Sequence, residues 1–149
     1  MNTYVYVESQ PISYTDPLGL YPGESYVNYA GNAISAAGAY AGGAIGAVGD
    51  FAGNYNDMRN ANTIGADKYF HCKANCEAAK RDQGGEDAAQ CISDIRESFD
   101  QNIKGDSAAS SAADQVANQF GRTQGASNSG KSCTQICSPF KPNGLAPIY

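Results

Sequence analysis

Tryptophan is absent, there is one histidine, and large aliphatic residues are sparse in this chain of 149 residues. Hydrophobic residues still make up 42% of it, but alanine supplies much of that share and seventeen glycines stand beside it. A wide core of interlocking leucine, isoleucine and phenylalanine side chains is therefore excluded. Helices that approach closely through small residues are the style of packing that remains. Cations are scarce too: ten Lys and Arg against fifteen Asp and Glu give a net charge of −5. Nucleic-acid binders carry a basic face, so no nucleic-acid partner is expected. The N-terminus lacks a basic stretch followed by an apolar run, so no secretory leader is read there. That fits a chain exported by a dedicated machine or carried as the tail of a larger protein. Neither Gly42-Gly43 nor Gly84-Gly85 is followed by Lys-Ser/Thr, which removes a phosphate loop.

What is present falls into zones. Residues 24–60 are rich in glycine and alanine and read as helical. From Gly31 onward, Gly38, Gly42, Gly46, Gly49 and Gly53 follow at spacings of seven, four, four, three and four, which puts them on one helical face. Each glycine costs a helix about 1 kcal/mol relative to alanine, a loss that close helix packing can offset. No charged side chain occurs from Ser25 through Gly49; that is roughly 25 residues, enough to span a bilayer, although Asn28, Asn32, Ser35 and three tyrosines make its hydropathy marginal. Three readings stand: a tether, a glycine-zipper helix that inserts in or lies on a membrane, and an ordinary soluble helix.

Residues 66–82, 86–104 and 107–119 read as three amphipathic helices. Gly84-Gly85 is expected to end the first. Cys91, Ile95 and Phe99, spaced by four and joined by Ile92 and Ile103, mark the expected buried face of the second, with Gly105 as its cap. Asp106 or Ser107 would cap the third, Val116 and Phe120 would face the core, and Gly121 would close it. A short helix is expected near 132–138.

The cysteines form a twin pattern, Cys72-x-x-x-Cys76 and Cys133-x-x-x-Cys137, with Cys91 left over. Cysteines four apart share a helical face. Two such pairs on antiparallel helices can form parallel bridges, Cys72–Cys137 and Cys76–Cys133, whereas a bridge within one pair would strain the helix. Four free thiols and a four-thiolate zinc site are the alternatives, the latter without the usual C-x-x-C spacing; no metal and no cofactor is assigned. Cys91 on an apolar stripe is expected to be buried and inert. His71 is either a structural hydrogen-bonding group or a general base. Glu97, Asp114 and Asn118 would join it if the three helices bundle, and a His–carboxylate set can take a proton while an amide or Arg122 orients a substrate.

The first residues differ from all the rest. A β-prone Tyr4-Val5-Tyr6-Val7 leads to Gln10-Pro11 and then Asp16-Pro17-Leu18-Gly19-Leu20. This stretch resembles the end of the Rhs/YD-repeat core. The later pattern of His71, Cys72, Cys76, Arg96, Glu97, Asp114, Ala117, Asn118, Gly121, Cys133 and Cys137 resembles a type of C-terminal extension on such proteins. The resemblance implies a junction at Asp16, Pro17, Leu20 and Tyr21, with cleavage after Leu20. It implies a secreted effector released from an Rhs core shell for interbacterial competition, a cognate immunity protein, and delivery to the periplasm or inner membrane of a target cell. The organisation expected is an Rhs remnant at 1–20, a Gly/Ala-rich zipper or tether at 21–64 and a cysteine-containing effector domain at 65–149. The fold class is mainly α, a small helical bundle stapled by disulfides, preceded by the Gly/Ala-rich helix or tether and a short β remnant. Three functions follow. The first is insertion in the target-cell membrane. The second is a hydrolase using His71 with Glu97 or Asp114. The third is a non-catalytic plug or binding domain.

Overall fold

The computed structural model describes residues 22–104, 107–127 and 130–149, with the backbone alone for 22–34 and 103–104. The expected β remnant and the junction residues Asp16, Pro17, Leu20 and Tyr21 lie outside the described residues, as does the cap expected at Gly105. The chain is mainly helical, with no strand among the described residues. Helix α1 runs Pro22–Ala61, α2 Asp67–Ala79, α3 Gln83–Phe99, α4 Ala108–Ala126 and α5 Cys133–Ile136. A π-helical turn, Asp100–Lys104, extends α3. The chain divides into two compact units, Met1–Gly38 and Ala39–Tyr149. The first is helical from Pro22.

Local chemistry sets the boundaries. Asp82 accepts a hydrogen bond from the Gly85 amide and starts α3. Ser107 does the same for α4 through the Ser110 amide. Ser132 and Gln135 form a reciprocal capping box on α5, satisfying two amides that a helix start leaves unpaired. Asn62 and Gly65, both at positive φ, turn the chain between α1 and α2. Gly84-Gly85 does not end α2 as expected: α2 stops at Ala79 and the two glycines form the first turn of α3. The reason is steric. A Cβ on Gly84 would overlap the Tyr40 carbonyl oxygen, and one on Gly85 would overlap that of Ala78.

Helix α2 is central, packing against α4, α3 and α5. Its buried residues include Tyr69, Phe70, Cys72, Asn75 and Cys76. Around them gather Ala117, Ile136, Leu145 and the bridge partners Cys133 and Cys137, with Phe120, Phe140 and Tyr149 at the margin. Phe120 and Phe140 meet edge to face at 5.4 Å, as do Phe70 and Tyr149 at 5.6 Å. Two disulfides, Cys72–Cys137 and Cys76–Cys133, hold the C-terminal segment on α2. A smaller cluster of Ala47, Ala78 and Ala89 joins α1, α2 and α3. There the Arg81 guanidinium grips the Asp50 carboxylate with bonds of 2.6 and 2.8 Å.

The expected inward face of α3 points outward, and that of α4 holds at Phe120, which packs against the core, but not at Val116. Ile95 and Phe99 are 65% and 51% exposed, Val116 is 62% exposed, and Cys91 lies at the surface instead of in the core. The residues that point inward are Gly85, Ala89, Ser93 and Glu97 on α3, and Ser111, Ala117, Asn118, Gly121 and Gly125 on α4. Small side chains let the helix backbones approach, and the larger apolar ones are left for the outer faces. Gly121 accordingly sits inside α4, which continues to Ala126. The expected zipper glycines have no such role: a Cβ on Gly38, Gly42, Gly49 or Gly53 would meet nothing within 4 Å, and one on Gly46 would meet the Arg81 guanidinium.

Candidate functional site

A polar network occupies the space between α2, α3 and α4, where an ordinary bundle holds aliphatic side chains. His71 and Asn75, one turn apart on α2, share an inward face. Ser93 and Glu97 do the same on α3, and Asn118 enters from α4. Their exposures are 6%, 0%, 1%, 3% and 0% respectively, so each polar atom has to find its partner inside the protein.

Asn118 is the hub. Its Oδ1 lies 3.0 Å from His71 Nδ1 and accepts from Asn75 Nδ2 at 2.8 Å. Its Nδ2 donates to Glu97 Oε1 at 3.3 Å. Because Asn118 Oδ1 is an acceptor, the proton of the neutral imidazole is assigned to Nδ1. Glu97 Oε1 lies 3.5 Å from the same nitrogen. Asn75 donates a second bond to the His71 carbonyl at 2.9 Å, and its Oδ1 accepts from Ser93 Oγ at 3.0 Å and Arg122 Nη1 at 2.8 Å. Asp114, at the rim of the network, meets Lys68 Nζ at 3.3 Å.

Burial pushes the His71 imidazole below its ordinary pKa, helped by the positive charge of Arg96 and opposed by Asp114. Burial likewise raises Glu97, and Asp114 adds to the rise. Arg122 is lowered, again chiefly by burial. Each shift has the sign expected when the charged form loses water.

The structure brings together His71, Glu97 and Asn118, with Asp114 close by. Sequence reasoning missed Asn75 and Ser93, although each stands four residues from a residue it had singled out. A general base has to come within roughly 3 Å of its substrate's proton. His71, Glu97 and Asn118 are enclosed by three helices, so a polymer or lipid ester cannot reach them without opening the bundle. The arrangement suits a device that locks helices in register, or the coordination of something as small as an ion.

Comparison with known proteins bears on the same residues. A family model described as Serum amyloid A protein matches residues 38–149. Serum amyloid A-2 protein of Oryctolagus cuniculus is 44% identical over 127 residues, 85% of this chain and 86% of that protein. Serum amyloid A protein of Equus caballus is 47% identical over 102 residues, covering 64% and 84%. Serum amyloid A-1 protein of Homo sapiens is 47% identical over 95 residues, covering 64% and 69%.

These matches overturn the Rhs resemblance. The stretch at 4–20 and the pattern from His71 to Cys137 carried it, whereas the new match covers residues 38–149 and with them the whole of the expected effector domain at 65–149. The toxin functions fall with it: membrane insertion, the His71 hydrolase and the plug of an Rhs shell. So do interbacterial competition, the Rhs core shell and the immunity protein. No helix among the described residues is long and apolar enough to cross a membrane. A secreted location agrees with these relatives, but delivery into a target cell has no support.

Proposed function

The chain belongs to the serum amyloid A family, and on that premise we propose that it works as a secreted acute-phase apolipoprotein, a non-catalytic protein whose helices lie on a lipid surface. The carrying observation is the outward placement of its large apolar side chains. On α1, Ala41, Ile45, Val48, Ala52 and Tyr55 recur at spacings of four and three and are all exposed. Ile45 is 75% exposed and Val48 59%. A stripe of this kind suits a helix lying in the plane of a lipid interface. In this reading the outer face of α1 from Ala41 to Tyr55 supplies lipid-facing surface, while its inner face packs into the compact, bridged unit Ala39–Tyr149. The network around His71, Glu97, Asp114 and Asn118 holds the helices in register.

Burying the side chains of Ile45, Val48 and Tyr55 is worth about 1.5–3 kcal/mol each when complete, so the stripe alone supports binding in the micromolar-to-millimolar range. The test is flotation with phosphatidylcholine vesicles. Ile45→Gln with Val48→Gln is expected to weaken vesicle binding at least tenfold while leaving the melting temperature within about 2 °C, since surface changes stay within roughly 0.5 kcal/mol. Binding that the double variant leaves intact would refute the role of the stripe.

A further inference from the structure

We propose that His71, Glu97 and Asp114 form a binding site for one divalent transition-metal ion, zinc in the first instance. The three residues come from three different helices. Each offers a ligand atom, and these atoms lie within 4.8 Å of one another. In a tetrahedral zinc site, bonds of about 2.0–2.1 Å place neighbouring ligand atoms roughly 3.3 Å apart. His71 Nδ1 and Glu97 Oε1, at 3.5 Å, already stand at that separation. Asn118 Oδ1, 3.0 Å from the same nitrogen, occupies the place of a fourth donor. Closing the set from separations within 4.8 Å requires Asp114, at the rim, to move inward by up to about 1.5 Å to reach tetrahedral spacing.

An independent observation points to a missing partner. Glu97 is 3% exposed, yet its Oε2 is buried without a hydrogen-bond partner. Buried carboxylate oxygens are costly to leave in that condition. Asp114 Oδ1, by contrast, has Lys68 Nζ as its partner at 3.3 Å.

The donor chemistry selects the class of ion. An imidazole nitrogen with carboxylates suits zinc and its neighbours, while magnesium and calcium favour all-oxygen sets. A narrow crevice lined by Phe51, Asn54, Tyr55, Met58 and Arg96 reaches His71 from the α1 side. On binding, the proton on His71 Nδ1 leaves to solvent or to Nε2, because only the bare nitrogen coordinates.

The experiment uses the full chain with both bridges intact, stripped by a chelator and titrated with zinc chloride alone. One zinc per chain is expected. At a hundredfold excess over the dissociation constant the melting temperature should rise by roughly 5–10 °C, with magnesium chloride producing no shift. Asp114→Asn, at the rim of the network, should weaken binding at least tenfold without unfolding the protein. Lys68→Gln frees Asp114 from its ion pair and should tighten binding severalfold. Glu97→Gln and His71→Gln should abolish it, and if either fails to fold by circular dichroism, the two rim variants decide alone. No zinc bound at 100 µM would overturn the proposal. So would wild-type affinity in Asp114→Asn, which would mean that scattered surface carboxylates hold the metal.

Discussion

Replacing Cys72, Cys76, Cys133 and Cys137 together by alanine is expected to lower the unfolding free energy by about 7 kcal/mol, enough to leave a domain of ordinary stability largely unfolded at 25 °C. The two bridges span sequence separations of 65 and 57 residues. Closing either loop in the unfolded chain removes about 4 kcal/mol of conformational freedom by the chain-entropy relation. The second adds less. Once one bridge is in place, the other closes only a small ring through the turns at 72–76 and 133–137, worth about 2.5 kcal/mol. Removing Cys76–Cys133 alone should therefore cost about 2.5 kcal/mol, and removing both nearly three times that. Alanine is the right replacement, because a serine hydroxyl at these buried positions would add its own desolvation cost. Urea unfolding of the native, single-bridge and bridgeless chains measures the series. Equal losses of about 4 kcal/mol per bridge would show that the bridges do not act through a shared loop.

That series also separates what was legible in the sequence from what was not. The twin spacing of cysteines made the bridges readable, because side chains four apart on a helix share a face and two such faces can meet. The helices themselves were readable from caps and periodicity, and Ser107 is the cap in fact. Their orientation was not. Cys91, Ile95 and Phe99 repeat every four residues, but so do Gly85, Ala89, Ser93 and Glu97 on another face of the same helix. Hydropathy gives weight to the first stripe and none to the second. Backbone proximity reverses that choice here, since a helix fits closely against two others only where its side chains are short. The site followed the same logic. His71, Glu97 and Asn118 converge because they lie on the short-residue faces, and Asn75 escaped notice because an asparagine on a helix ordinarily faces water. The family was not legible from 4–20 or from the pattern between His71 and Cys137, where a few turn residues and spaced cysteines can satisfy more than one motif.

The same preference for short side chains predicts opposite signs for one substitution at two kinds of glycine. Gly121 and Gly125 lie on the face of α4 that meets α2. A Cβ at Gly121 would overlap the Cys72 carbonyl oxygen and stand 3.0 Å from its carbonyl carbon and 3.1 Å from Asn75 Cβ. At Gly125 it would stand 2.6 Å from the Cys76 carbonyl oxygen and 3.2 Å from Ala79 Cβ. The obstructing atoms are mostly backbone, on a helix anchored by both disulfides and by the Asn75–Asn118 bond, so no side chain can swing aside. The helices have to part by about an ångström, loosening the polar network between them. Overpacking of this kind costs about 1–3 kcal/mol where side chains can adjust and more where they cannot. Alanine returns about 1 kcal/mol of helix propensity. Gly121→Ala is thus expected to lose about 3 kcal/mol net, and Gly121→Ala with Gly125→Ala to abolish the cooperative transition. At Gly49 or Gly53 a Cβ meets open space, the propensity gain is unopposed, and alanine should stabilise by about 0.5–1 kcal/mol. Thermal melts of the four variants decide the matter. A Gly121→Ala chain as stable as Gly49→Ala would mean that α4 and α2 do not approach backbone to backbone.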